Sequence, residues 1–237
     1  MFSRDPAVVA AALGVGLAAG VLASRQVWRG KLAAARHAAT HDGLTGIYNR
    51  AGLTDHADRF IAAGHRSGRP VVVLLIDLVG FKRINDTHGH DAGDHILTTI
   101  GARLAGVAGP VGIAARLGGD EFAAVTTGPT DHRTDPHAWL SGWLPHIHAR
   151  LTTPVAYLGR PLAVGATIGA TLAHPGHPLP VWLAAADRAM YAARSARTTT
   201  AIAPAGPAAT CGGHRSGRVR ESARPTTRVA NARPAIA

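Results

Sequence analysis

Two stretches decide the fold: Val71-Val72-Val73-Leu74-Leu75-Ile76-Asp77, and Gly118-Gly119-Asp120-Glu121 between two apolar runs. The first is six consecutive aliphatic residues closed by an acid, the pattern of a strand buried on both faces. The second is a tight hairpin sequence, joining strands expected over Val111 to Leu117 and Phe122 to Thr126. An ionised Asp77 after such a strand is costly without compensation, either from a cation or as a cap for a following helix. Adjacent carboxylates at 120 and 121 repel, so the turn is either a solvated hairpin or the seat of a cation. Two acidic positions converging from different strands on one sheet edge describe a divalent-metal site for phosphoryl transfer.

Working outward, Asp94 to Ala105 has helical spacing through Ile96, Leu97, Ile100 and Leu104. Trp139 to Leu151 reads as a helix interrupted near Pro145, Leu162 to Leu172 as a strand, and Pro180 to Arg194 as a helix with Trp182, Leu183, Ala186, Ala189 and Met190 on one face. Strands alternating with helices around one sheet give an α/β or α+β class. After Asp77, Phe81-Lys82-Arg83-Ile84-Asn85-Asp86 supplies cations and loop amides able to cradle phosphate oxygens. Asn85 and Asp94 offer donors and acceptors suited to a purine edge. Gly118 and Gly119 let a nucleotide approach the backbone. His88, His90 and His95 lie close in sequence, but no acidic residue has catalytic-zinc spacing with them.

The formal charge of +11 over 237 residues suggests nucleic acid, but its distribution does not. Residues 1–40 hold five basic residues against one acidic, residues 41–198 fourteen against twelve, and residues 199–237 six against one. The near-balanced middle argues against nucleic-acid binding, and the basic ends fit a topology signal or a solvated tail. The single Cys211 permits neither an intrachain disulfide nor a cysteine zinc site.

Ala7 to Ser24 carries no charge and would span roughly 27 Å as a helix, against about 30 Å for a hydrocarbon core. Arg25, Arg29, Lys31 and Arg36 follow it, so the positive-inside rule orients the following chain toward the cytoplasm. A cleaved signal peptide and a soluble Ala-rich helix compete with this reading. The expected organisation is a membrane anchor over 1–26, a helical linker over 27–40, a catalytic domain over 41–198 and a disordered basic tail over 199–237. A single-pass protein of the cytoplasmic membrane follows from it.

Four motifs in order carry a resemblance. They are His41-Asp42-Gly43-Leu44-Thr45-Gly46-Ile47-Tyr48-Asn49-Arg50, the run from Asp77 to Asp94, Arg116-Leu117-Gly118-Gly119-Asp120-Glu121-Phe122, and the helix Ala186 to Arg194. Together they resemble the GGDEF family of diguanylate cyclases. The resemblance implies a palm-like α+β fold, a central, mainly antiparallel five-stranded sheet flanked by helices. It implies Mg²⁺ (or Mn²⁺) held by Asp77, the Leu78 carbonyl and Asp120 with help from Glu121. Guanine would be read by Asn85 and Asp94, and the phosphates held by amides of Gly80 to Lys82, Phe81 included. Arg194 would stand where the family has a phosphate-binding lysine, and Asp120 would be the candidate base. Two GTP would meet across a homodimer and give cyclic di-GMP. Departures are Val79 for a second acid, Arg194 for lysine, Thr198 (with Arg197 beside it) for a second cation, and Gly109 and Gly112 where an inhibitory Arg-x-x-Asp is usual. The last departure predicts no feedback inhibition of that type. Val79 and the altered helix keep open a second reading, a degenerate module that binds GTP and signals through partners.

Overall fold

The computed structural model describes residues 24–131 and 133–204. Most of the expected anchor (1–26), and the tail beyond residue 204, lie outside them. Among the described residues no helix is long and apolar enough to cross a membrane.

An exposed helix, α1, covers residues 24–40, where a helical linker is expected. Then come α2 (Arg50–Arg66), β1 (Val71–Val79), α3 (Phe81–His88), α4 (His90–Ala108), β2 (Ile113–Gly118), β3 (Glu121–Thr127) and α5 (Pro136–Thr152). The chain continues through β4 (Val155–Tyr157), β5 (Arg160–Leu162), β6 (Gly165–Ala173), α6 (Leu179–Ser195) and β7 (Thr200–Ile202). The main sheet has five strands in the order β2-β3-β1-β6-β7, and β4 and β5 form a separate hairpin. All pairings in the main sheet are antiparallel except β6 with β7. The expected five-stranded, mainly antiparallel α+β sheet is therefore present, as a mixed sheet.

β1 is central, and its alternating side chains divide between two layers. Val72, Leu74, Ile76 and Leu78 join the core with Ile96 and Ile100 of α4 and Leu144 and Ile147 of α5. Val71, Val73 and Leu75 face Leu53 and Ala57 of α2 and Trp182 and Ala186 of α6. Helices on both faces explain the unbroken aliphatic run, because neither side of the strand meets water.

Several expectations need correction. α5 runs through Pro145 without a break. Pro145 is exposed, while Leu140, Leu144, Ile147 and Leu151 are buried on either side of it, so packing holds both halves in line. The strand expected from Leu162 to Leu172 is split: β5 ends at Leu162 and β6 starts at Gly165. The β4–β5 turn has positive φ at Leu158 (47°) and Gly159 (75°), which suits a tight hairpin. Residues 81–88 are a helix rather than a loop. β7 carries the folded unit past residue 198, where a disordered tail was expected, because Thr200–Ile202 finds the free edge of β6. The helix α2 has no counterpart in the sequence reading. Its buried positions Leu53, Ala57, Ile61 and Gly64 include only two large aliphatics, a weak periodic signal.

α6 crosses β6 at Gly169, where a Cβ would run into the Ala186 carbonyl, the Met190 amide and, at 2.8 Å, Met190 Cβ. These are backbone and near-backbone atoms that cannot swing aside. Gly169→Ala is expected to destabilise the domain by about 2 kcal/mol, measured by urea unfolding.

Candidate active site

Antiparallel pairing brings the two acidic positions together. Asp77 at the end of β1 lies opposite Glu121 at the start of β3, and the Leu78 amide donates to the Asp120 carbonyl at 3.2 Å. The hairpin between β2 and β3 turns on Gly118 (φ 145°) and Gly119 (φ 55°), conformations that suit glycine.

Arg116 fixes that turn. Its Nε and Nη2 donate to the Gly119 carbonyl at 2.9 and 2.8 Å. Its Nη1 donates to both carboxylate oxygens of Asp42 at 3.3 Å. Asp42 also accepts from the Thr45 amide at 2.9 Å and the Thr45 hydroxyl at 2.7 Å. Burial alone would raise the Asp42 carboxyl, but the Thr45 bonds and the Arg116 guanidinium hold it below the ordinary carboxylate value. The motif around Asp42 is thus a brace for the acidic turn. Sequence reading quoted Asp42 and Arg116 without assigning them a task, since 74 residues separate the partners.

The acids stress one another. Burial raises Asp77 above the usual carboxylate range; Arg194 opposes this and the Asp120 charge adds to it. Burial also raises Glu121, together with Asp77, Asp120 and Asp187, while Arg50 opposes. Arg50 and Asp187 are two further charged residues of this edge that sequence reading did not single out. Arg194 forms an ion pair with Asp77 through Nη2 and Oδ2, where it had been expected at a phosphate.

Among the described residues, no three His, Cys, Asp or Glu side chains enclose a metal position, the zinc reading of His88, His90 and His95 included. Instead His95 Nε2 bonds the Ala156 carbonyl at 3.0 Å. Mg²⁺ does not need such a cage, because it binds through one or two carboxylates, waters and substrate phosphates. Asp77 and Asp120 with the nearby Leu78 backbone are a hard-oxygen donor set, and the mutual repulsion of the acids is what a divalent cation relieves. The residues fit the ion.

Next to the acids, Gly80 (φ 83°) starts α3 with no side-chain cap, so the first amides of the helix, from Phe81 onward, are uncapped by any side chain. Lys82 is exposed, and Phe81 packs partly buried toward Gly93. Asn85 Oδ1 is buried without a hydrogen-bond partner. A Cβ on Gly93 would collide with that same oxygen, so Asn85 of α3 sits against α4 one residue before the exposed Asp94. The two expected base readers therefore come from adjoining helices, with the Asn85 oxygen turned against Gly93 and Asp94 facing outward. Val79 is 52% exposed at the site's rim, so the missing second acid leaves an apolar surface there. At the other departure, a Cβ on Gly112 would strike the Ala108 carbonyl and lie 3.0 Å from the Val125 carbonyl.

Residues 39–200 match the family described as diguanylate cyclase, GGDEF domain. The chain belongs to the GGDEF family. An uncharacterized signaling protein of Caulobacter vibrioides is 39% identical over 161 residues, 67% of this chain but 19% of that protein. An uncharacterized 19.3 kDa protein of Streptomyces ambofaciens is 42% identical over 166 residues, 69% of this chain and 81% of that protein. Among solved structures, the coiled coil and GGDEF domain of DgcB from Caulobacter crescentus, in complex with c-di-GMP, superposes with a TM-score of 0.67 at 27% identity, covering 81% of this chain and 99% of that one. The GGDEF domain of PA1120 from Pseudomonas aeruginosa gives a TM-score of 0.59 at 33% identity, covering 69% and 94%. GGDEF domains are typically diguanylate cyclases, and those cyclases generally use Mg²⁺.

Because Asp42 is held below its unfolded value, its stabilisation is complete above the unfolded carboxylate value and is lost as pH falls through the folded one. Asp42→Asn is expected to cost about 1.5 kcal/mol at neutral pH. The gap to the parent should shrink below about pH 4 in thermal unfolding followed across pH.

Proposed function

We propose that this chain is a diguanylate cyclase that condenses two GTP into cyclic di-GMP and releases pyrophosphate. The juxtaposition of Asp77 with Asp120 and Glu121, beside the uncapped start of α3, carries this reading. Asp77, the Leu78 carbonyl and Asp120, assisted by Glu121, would hold Mg²⁺ or Mn²⁺, which would supply charge neutralisation at the phosphates. Amides at Phe81 and Lys82 take the β- and γ-phosphates, and Gly118 and Gly119 give the nucleotide room. Asn85 and Asp94 read the guanine, the Asp94 carboxylate accepting from its N–H groups. Arg194 leaves Asp77 for a phosphate when the nucleotide arrives.

In each half-reaction the 3′-oxygen of one GTP forms a bond to the α-phosphorus of the other. The bond from that phosphorus to the bridging oxygen breaks, pyrophosphate leaves, and Asp120 is the candidate acceptor of the hydroxyl proton. Since each domain holds one GTP, two chains must meet face to face. The exposed Trp28 and Leu32, four residues apart on α1, offer a seam for that pairing. Anchorage through residues 1–26, with the domain in the cytoplasm, belongs to the same proposal.

A second reading, a module that binds GTP without turnover, draws on Val79 and on the Arg194–Asp77 ion pair. Incubation of the purified chain with GTP and Mg²⁺ separates them: pyrophosphate and cyclic di-GMP accumulate in the first case and not in the second. Asp120→Asn is expected to lower turnover at least about a hundredfold while GTP binding persists. Gly112 leaves no space for an acidic side chain, so initial rates should be the same with and without added cyclic di-GMP.

A further inference from the structure

A cavity of about 450 Å³ opens at the opposite end of the sheet from the acids. Val71 and Ala173, the far ends of β1 and β6, line it, and Val71 lies six positions along β1 from Asp77, about 20 Å. It is therefore separate from the site described above. Its size is that of a small-molecule site.

Its described polar lining includes one guanidinium, three imidazoles, a hydroxyl and one carboxylate. His65, Arg69, His137 and His174 arrive from the end of α2, the α2–β1 connection, the first turn of α5 and the residue after β6. Arg69 gives its Nε to the Gly128 carbonyl at 3.0 Å, and its two Nη groups have no partner among the described residues. His65 donates Nε2–H to the Ala173 carbonyl at 2.8 Å, which fixes that ring, and its centroid lies 6.1 Å from that of His174. Burial first, then the neighbouring His65 and His137, depress His174, so its imidazole is held toward the neutral form and can meet an anion through a ring N–H. Asp131, the acid among the described lining residues, is turned to its own loop, accepting from the Arg133 amide at 2.9 Å and the Thr134 hydroxyl at 3.1 Å. Its apolar lining includes Trp139, Pro70 and Pro129, with Trp139 itself stacked on Trp143 at 4.9 Å between ring centroids.

We infer that this cavity binds a small aromatic anion, its carboxylate or phosphate on Arg69, His137 and His174 and its ring against Trp139. A free guanidinium edge and the ring N–H groups of His137 and His174 suit an anionic head. The Trp–Pro walls suit a planar body.

The test titrates the full chain at neutral pH with benzoate, phenyl phosphate, the neutral benzamide and Zn²⁺, by calorimetry and ligand-observed NMR. Benzoate or phenyl phosphate is expected to bind, and comparison of the two identifies the preferred head group. Benzamide is expected not to bind. His137→Gln combined with His174→Gln should weaken the anion at least about tenfold, equivalent to about 1.4 kcal/mol. His137→Glu, which adds a like charge, should abolish binding. Circular dichroism and melting temperature establish that each variant is folded, and among the described residues neither side chain makes a hydrogen bond whose loss would unfold it. The inference is overturned if neither anion binds, if benzamide binds as well as benzoate, or if the histidine variants bind anions as the parent does. Zn²⁺ binding that needs the same histidines, without anion binding, would make the cavity a metal centre and overturn it as well.

Discussion

The register between β1 and β3 is the constraint on which the rest of the structure depends. With Val71 opposite Thr127, Asp77 falls opposite Glu121, and the acids of two strands share one edge. A slip of one residue would turn every side chain of β1 to the other layer, moving Val72, Leu74 and Ile76 away from α4 and α5. The two layers are packed around different side chains, so steric misfit opposes that slip. The same aliphatic packing that stabilises the domain therefore also aims its carboxylates.

The edge so formed is electrostatically strained and is relieved piecemeal. Asp77 and Glu121 are both raised by burial and by neighbouring acids, and Arg194 and Arg50 partly offset this. Held close by the backbone, these acids cannot separate to relax their repulsion. The turn that bears Asp120 is also immobilised, because Arg116 bonds the Gly119 carbonyl while Asp42 and Thr45 hold Arg116. A preformed acidic edge with fixed geometry suits charge neutralisation by an incoming cation and nucleotide, since little reorganisation is left to do at the moment of reaction.

The sheet also links two regions with different chemistry. Its acidic end lies at Asp77, and its other end opens beside His65, Arg69, His137 and His174. Both ends are set by the same strands, β1 and β6, so their separation is a property of strand length.

The sequence by itself determined the central strand, the glycine turn, most of the large helices and the family, because these signals are local: an aliphatic run, a turn composition, a helical period, a motif at fixed spacing. It also singled out Asp77, Asp120, Glu121, Asn85 and Asp94, whose residue types are unusual where they stand. Only the tertiary structure decided what lies between distant segments. Asp42 meets Arg116 across 74 residues, and Asp77 pairs with Arg194. The edge strand β7 exists because β6 offers it a free row of backbone groups, and α5 passes through Pro145 because buried leucines grip it on both sides. In each case the energy comes from a partner far along the chain, and no local window of sequence contains it.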